Sequence, residues 1–164
     1  MNTISYSLMS EFVKEYVGSS GLSVCDVGSL NINGAFKPLF GEHRYIGVDI
    51  VEGPNVDVVS KDLYHYPFED GVFDVVISGS TLEHVEDIFS WVMELARIVK
   101  KDGLVCVIAP SIHRDKHRHP VDCWRIYPDG MGYLLGKVAG LEVLECRRSN
   151  IKDRTVECIG VGRK

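Results

Sequence analysis

Residues 24–34 read VCDVGSLNING: an apolar run ends in an aspartate, turns at a glycine, and crosses polar residues to a second glycine. Open α/β sheets hold ligands at such places, in the crevice outside the carboxyl ends of their strands. The dinucleotide pattern G-x-G-x-x-G is not met, because Leu30 stands two residues after Gly28. In that pattern the second glycine lets the backbone approach a pyrophosphate. Leu30 sets a side chain there, and Asp26 adds negative charge beside a ligand that would already be anionic. A pyrophosphate fits this turn poorly.

The runs on either side set the fold class. LSVCDVG, RYIGVDI, VFDVVIS and GLVCVIAP are short and apolar almost throughout, as strands buried on both faces of a parallel sheet are. Residues 7–17 carry Leu8, Met9, Phe12, Val13 and Tyr16 at helical spacing. DIFSWVMELARIVK, residues 87–100, is the clearest helix, with Ile88, Trp91, Val92, Leu95, Ile98 and Val99 on one side and Asp102-Gly103 as its stop. Pro110 is expected to end the strand GLVCVIAP, and residues 129–139 to form a helix with a glycine-rich body. LEVLECRR and RTVECIGVGR, separated by SNIKD, read as an antiparallel pair at a sheet edge. The expected architecture is α/β: an open, mostly parallel, seven-stranded Rossmann-like sheet with helices on both faces and a C-terminal antiparallel hairpin. Between RYIGVDI and VDVVS there is no room for a crossover helix, so the VDVVS strand must be very short or reached by an irregular loop.

Within that frame three carboxylates fall at strand ends. Asp26 at the glycine turn suits a ligand carrying an ammonium and a sulfonium, which it would attract. Asp49 closes RYIGVDI, 21 residues after Gly28, where a carboxylate can accept both hydroxyl hydrogens of a ribose. Asp62 follows the third strand and could accept from an exocyclic amine such as adenine's, with Ile50 and Leu63 against the ring. Each residue alone has a bland explanation: a tight turn at Gly28, a surface carboxylate at Asp49. Asp74 at the start of FDVV is expected to satisfy backbone, and Trp91 and Met93 to serve packing and surface. The ordered set is far more specific than its members.

That set, with SKDLYHYPFEDGVFDVVISGSTLEHV and the pair LARIVKKDG–LVCVIAPS, resembles the class I S-adenosylmethionine-dependent methyltransferases, in particular the small group with a methyltransferase type 11 domain. The resemblance implies S-adenosylmethionine as cofactor. Gly28 and Ser29 would lie at its methionine end, with Asn31 as a further donor, Asp49 on the ribose, Asp62 near the adenine amine, and Ser78 and Gly79 beside the methyl group. The sequence departs from the family turn D-x-G-x-G-x-G, since Ser29-Leu30-Asn31-Ile32-Asn33 separate Gly28 from Gly34. No substrate-binding domain is inserted, and the helix after the second strand is missing.

Two segments bear on the acceptor side. Glu83-His84 in STLEHV is expected in the pocket wall. Some relatives carry E-x-x-E-H that binds a divalent metal, but Ser80 stands where the first glutamate would be, and loss of a hard oxygen ligand weakens a magnesium-type site. No metal is expected on this count. SIHRDKHRHPVDCWRIYPDG gathers three histidines with three arginines and a lysine in an otherwise acidic chain. Its bland explanation is a solvated loop. As a wall of the acceptor site it would use Arg118 and Arg125 to bind an anionic group and Trp124 and Pro120 to hold the loop. His84 and His119 are the candidate bases for a hydroxyl or amine acceptor. The rival metal arrangement would join His119 to Glu83 and His84.

Composition bounds the alternatives. A length of 164 residues suits one domain, and the net charge of −5 argues against a broad nucleic-acid-binding face. Five cysteines without a C-x-x-C fit buried thiols in a reducing, cytoplasmic compartment. No apolar run approaches the roughly 18 residues of a membrane span, and the first residues lack a basic region before an apolar core. The expected partner is a small-molecule or glycan-type acceptor. Two rivals stay open: a non-catalytic protein that keeps the fold and its ligand, and a nicotinamide-dependent dehydrogenase, which Leu30 and Asp26 disfavour.

Overall fold

A computed structural model describes residues 3–18, 21–112, 116–118, 120–149 and 156–164. Seven strands form one sheet: β1 (Ser23–Val27), β2 (Arg44–Asp49), β3 (Val58–Val59), β4 (Phe73–Gly79), β5 (Val99–Ile112), β6 (Glu142–Arg148) and β7 (Val156–Arg163). Their order is β3-β2-β1-β4-β5-β7-β6. The first five pair in parallel, and β7 pairs antiparallel with both β5 and β6. β6 thus forms the edge and β7 lies inside it as its antiparallel partner, as the two closing apolar runs imply.

Helix α1 (Thr3–Tyr16) packs Leu8, Met9 and Phe12 on one face of the sheet, over Val24, Val75, Ile77 and Cys106. On the opposite face α2 (Ile88–Ile98) sets Trp91, Val92, Leu95 and Ile98 against Val76, Val105 and Val107. Asp87 caps α2, accepting from the backbone N–H groups of Phe89 and Ser90 at 3.1 Å each. A short α3 (Pro128–Tyr133) follows on that side.

Several boundaries differ from the sequence expectations, each for a local reason. Helix α2 stops at Ile98, and residues 99–101 run extended because Val99 already pairs with Phe73 of β4. Strand β5 continues through Pro110 to Ile112, with a register shift against β7 between these two residues. The proline, which has no N–H to give the ladder, sits at that irregularity. The expected helix at 129–139 is a short α-helix running into a π-type turn, Leu134–Val138. Strand β3 has only two residues.

No α-helix follows β1. Its crossover to β2 is a loop with one 3-10 turn, Lys37–Phe40, whose Phe40 joins Phe36 in the core beside α1. The crossover from β3 to β4 is also a loop. It is held on the sheet by Glu94, which is 4% exposed and accepts from Tyr66 N and from Arg97 Nε at 2.7 Å each. Trp91 Nε1 donates to Tyr66 Oη at 3.1 Å. Packing of aromatic side chains thus replaces two helices, and the loops so fixed border the functional cavity.

Candidate active site

Strand order reverses at β1, which lies between β2 and β4, and the carboxyl ends of these strands open on a cavity of about 920 Å³. That is the volume of small-molecule sites, about 300–1,000 Å³. After β1 comes the glycine turn. Gly28 has φ +80°, and both Gly28 N and Ser29 N donate to Val48 O, at 2.9 and 3.1 Å, so the turn is fastened to β2. From the end of β2, Asp49 accepts Leu30 N at 3.0 Å on one oxygen and Ile50 N at 2.7 Å on the other. One carboxylate therefore ties two loops together and borders the cavity. Leu30 turns its side chain over Gly53.

Asp26 is 3% exposed and accepts from the Tyr45 hydroxyl. Burial pushes its carboxyl up to about 7, against the lowering effect of the Tyr45 bond, and the charge of Asp49 adds to the rise. The unfolded value is about 3.9. Between these values the folded chain keeps a proton that the unfolded chain has lost. This group's contribution to stability is therefore complete below about pH 4 and lost as pH rises through about 7. Asp26→Asn is expected to flatten that part of the decline in a series of urea titrations; an unchanged slope would exclude Asp26 as its source.

Of the residues singled out in the sequence, Asp26, Gly28, Ser29, Asp49, Ile50, Leu63, Gly79, His84 and Arg118 line this one cavity. Asp62, Ser78, Trp124 and Arg125 do not. Asp62 turns its carboxylate onto its own loop, accepting Tyr64 N at 2.8 Å and His65 N at 3.1 Å. Ser78 is fully buried and donates to Val27 O at 2.7 Å, tying β4 to β1. Trp124 Nε1 donates to Val85 O at 2.7 Å. Arg125 spends its fork on Asp122, with bonds of 2.6 and 2.9 Å, and that guanidinium holds the Asp122 carboxyl well below the usual carboxylate range. His119 lies outside the described residues.

Other cavity residues carry weaker sequence signals. Ser80 has φ +58°, and the hydroxyls of Ser29 and Ser80 are buried without a hydrogen-bond partner among the described residues. A Cβ at Gly28 would strike Thr81, and one at Gly79 would strike the Phe36 ring. Tight glycine approaches, orphaned hydroxyls that can donate or accept, and a strand-end carboxylate that accepts thus border one cavity. Across the cavity, His117, Arg118, Pro120 and Val121 form a wall from the histidine-rich segment. Cys123 N bonds to Glu83 O at 2.7 Å, and His84 Nδ1 lies 2.6 Å from Val121 O, so this segment is folded back on residues 83–85.

A seven-stranded sheet with an antiparallel last pair and a ligand cavity at its switch point defines a Rossmann-like, cofactor-binding class of protein. Residues 26–107 match the family described as a methyltransferase domain, and the chain belongs to that family. It is 28% identical over 136 residues to a demethylmenaquinone methyltransferase of Staphylococcus saprophyticus, covering 74% of this chain and 56% of that one. It is 30% identical over 98 residues to a probable S-adenosylmethionine-dependent methyltransferase of Mycobacterium tuberculosis, covering 57% of this chain and 36% of that one. The chain thus spans about half or less of the curated relatives it matches.

Among solved structures it shares the fold of 1,6-didemethyltoxoflavin-N1-methyltransferase from Burkholderia thailandensis, with a TM-score of 0.78, 17% identity, and coverage of 98% of this chain and 78% of that one. The [4+2]-cyclase SpnF shares it with a TM-score of 0.77 and 14% identity, over 97% of this chain and 80% of that one. No described helix is long and apolar enough to cross a membrane.

Proposed function

We propose that the chain binds S-adenosylmethionine in the switch-point cavity and transfers its methyl group to a small-molecule acceptor. One observation carries the reading: the stretch matching the methyltransferase family supplies the Gly28 turn, Asp49 and residues 79–81 to one cavity. Asp49 accepts from the ribose hydroxyls, Ile50 and Leu63 flank the adenine ring, and Gly28 and Ser29 hold the methionine end. Asp26 lies beneath the ligand's ammonium, whose positive charge would favour the ionised form of its carboxyl. Gly79 leaves room next to the methyl group. The cofactor contributes an electrophilic methyl on a sulfonium; the chain aligns acceptor and donor and excludes water.

His117, Arg118, Pro120 and Val121 wall the acceptor end. The guanidinium of Arg118 suits an anionic substituent on the acceptor. Small acceptors are in keeping with the neighbour from Burkholderia thailandensis, whose structure contains 1,6-didemethyltoxoflavin and S-adenosylhomocysteine. Incubation with a methyl-labelled donor and a metabolite extract is expected to yield a labelled product that needs Arg118 more than cofactor binding does.

That a [4+2]-cyclase has this fold shows that the fold also serves other chemistry, which leaves a second reading, in which the chain binds the ligand without methyl transfer. Bound S-adenosylhomocysteine together with no labelled product from any acceptor class would decide for it.

A further inference from the structure

Glu83, His84 and His117 bring a carboxylate and two imidazoles to one point, with one ligand-type atom from each lying within 4.8 Å of the others. Glu83 is fully buried, and its Oε1 lies 3.8 Å from His84 Nε2 and 3.6 Å from His117 Nε2. The two rings meet edge to face, at 89° with centroids 5.0 Å apart, so they converge and do not stack. Tetrahedral bonds of about 2.0–2.1 Å hold ligand atoms about 3.4 Å apart. The two separations from Glu83 exceed that by a few tenths of an ångström, and all three ligand atoms lie within 4.8 Å of one another.

The outer partner of His84 fits as well. Val121 O, 2.6 Å from His84 Nδ1, can only accept, so Nδ1 carries the proton and Nε2 turns a lone pair to the centre of the cluster. His117 is anchored through its backbone N–H, which donates to the Asp122 carboxylate at 2.8 Å, while its ring Nδ1 lies 3.9 Å from that carboxylate, beyond hydrogen-bond range. A backbone carbonyl in the position of Val121 O orients a metal-binding histidine and fixes its tautomer.

We propose that Glu83, His84 and His117 bind a divalent transition-metal cation of the zinc or cobalt type, with a further coordination position open to the cavity. The absence of a glutamate at position 80 counts against a magnesium-type site, but the second imidazole shifts the donor set toward softer ions. Three protein ligands with one open position is the arrangement of metal sites that receive a substrate. His84 and His117 both line the cavity at its acceptor end, so an oxygen of the acceptor could enter that position. This last placement rests on the methyl-transfer reading; the metal site itself does not.

The full-length chain, stripped with a chelator, is titrated with Co2+ by visible absorption and with Zn2+ by calorimetry, with no methyl donor present. One equivalent should bind, with the low-symmetry cobalt spectrum of a nitrogen–oxygen site. His117→Ala and Glu83→Gln should each weaken binding by at least about 10-fold, the smallest loss expected when even an outer partner is removed. Circular dichroism shows which variants fold. The His117 side chain is 31% exposed, so His117→Ala decides the matter should the buried Glu83→Gln chain unfold. Saturable binding that both His117→Ala and His84→Ala weaken supports the site. No saturable binding, or wild-type affinity in folded His117→Ala, overturns it and leaves the cluster as a polar packing contact between the segment and residues 83–84.

Discussion

Gly28→Val is expected to leave no measurable S-adenosylhomocysteine binding and to lower the stability of the fold. Gly28 sits at φ +80°, where a β-branched residue is a genuine outlier. The left-handed backbone alone costs roughly 1–2 kcal/mol for an L-residue. Space is the second obstacle. A Cβ at this position would overlap Thr81 Oγ1 and approach Thr81 Cγ2 to 2.8 Å. Thr81 cannot swing aside without cost, because its hydroxyl donates to Val27 O at 3.3 Å. The turn must therefore rise from β2 and give up the bonds that Gly28 N and Ser29 N make to Val48 O, which deforms the floor of the cavity.

A thermal melt separates lost binding from lost folding. Gly28→Ala combined with Thr81→Gly returns the space while keeping the backbone strain, so it should recover part of the affinity. A folded Gly28→Val chain that bound the ligand normally would move the methionine end away from this turn.

Asp49→Ala carries the second large effect, a loss of about 10- to 100-fold in S-adenosylhomocysteine affinity, from charged hydrogen bonds to the ribose. Part of that loss acts through the chain. The same carboxylate accepts from Leu30 N and Ile50 N, so its removal also frees the loops after β1 and β2. Asp49→Asn retains one acceptor oxygen and should fall between wild type and alanine. Calorimetry on folded Asp49→Ala that returned wild-type affinity would remove Asp49 from the site.

The central strands β1, β4 and β5 were legible because most of their residues are buried, so apolar side chains dominate them. Helix α2 was legible from its apolar spacing. The missing helix after β1 was not, since Phe36 and Phe40 carry no periodic signal and do their packing from a loop. Gly28 and Asp49 stand at strand ends, where the topology alone directs them to the cavity.

Side chains one residue away follow local rules that spacing does not reveal. Ser78 still belongs to the sheet and bonds across it, whereas the cavity begins at Gly79. Asp62 satisfies the backbone of its own turn. Arg125 stands three residues after Asp122, and that spacing was the available sign that its fork had a partner near by. The richness in histidine marked the 113–119 stretch, but three imidazoles so close in sequence could not be ranked until the fold set His117 beside Glu83 and His84.

The central claim is that the cavity at the β1/β4 switch point accepts S-adenosylmethionine and not a dinucleotide. Isothermal titration of the wild-type chain with S-adenosylhomocysteine, and separately with NAD, tests it most directly. The account predicts saturable one-site binding of S-adenosylhomocysteine, weakened by Asp49→Ala, and no binding of NAD under the same conditions. Saturable NAD binding, or no binding of S-adenosylhomocysteine to a folded chain, would contradict it.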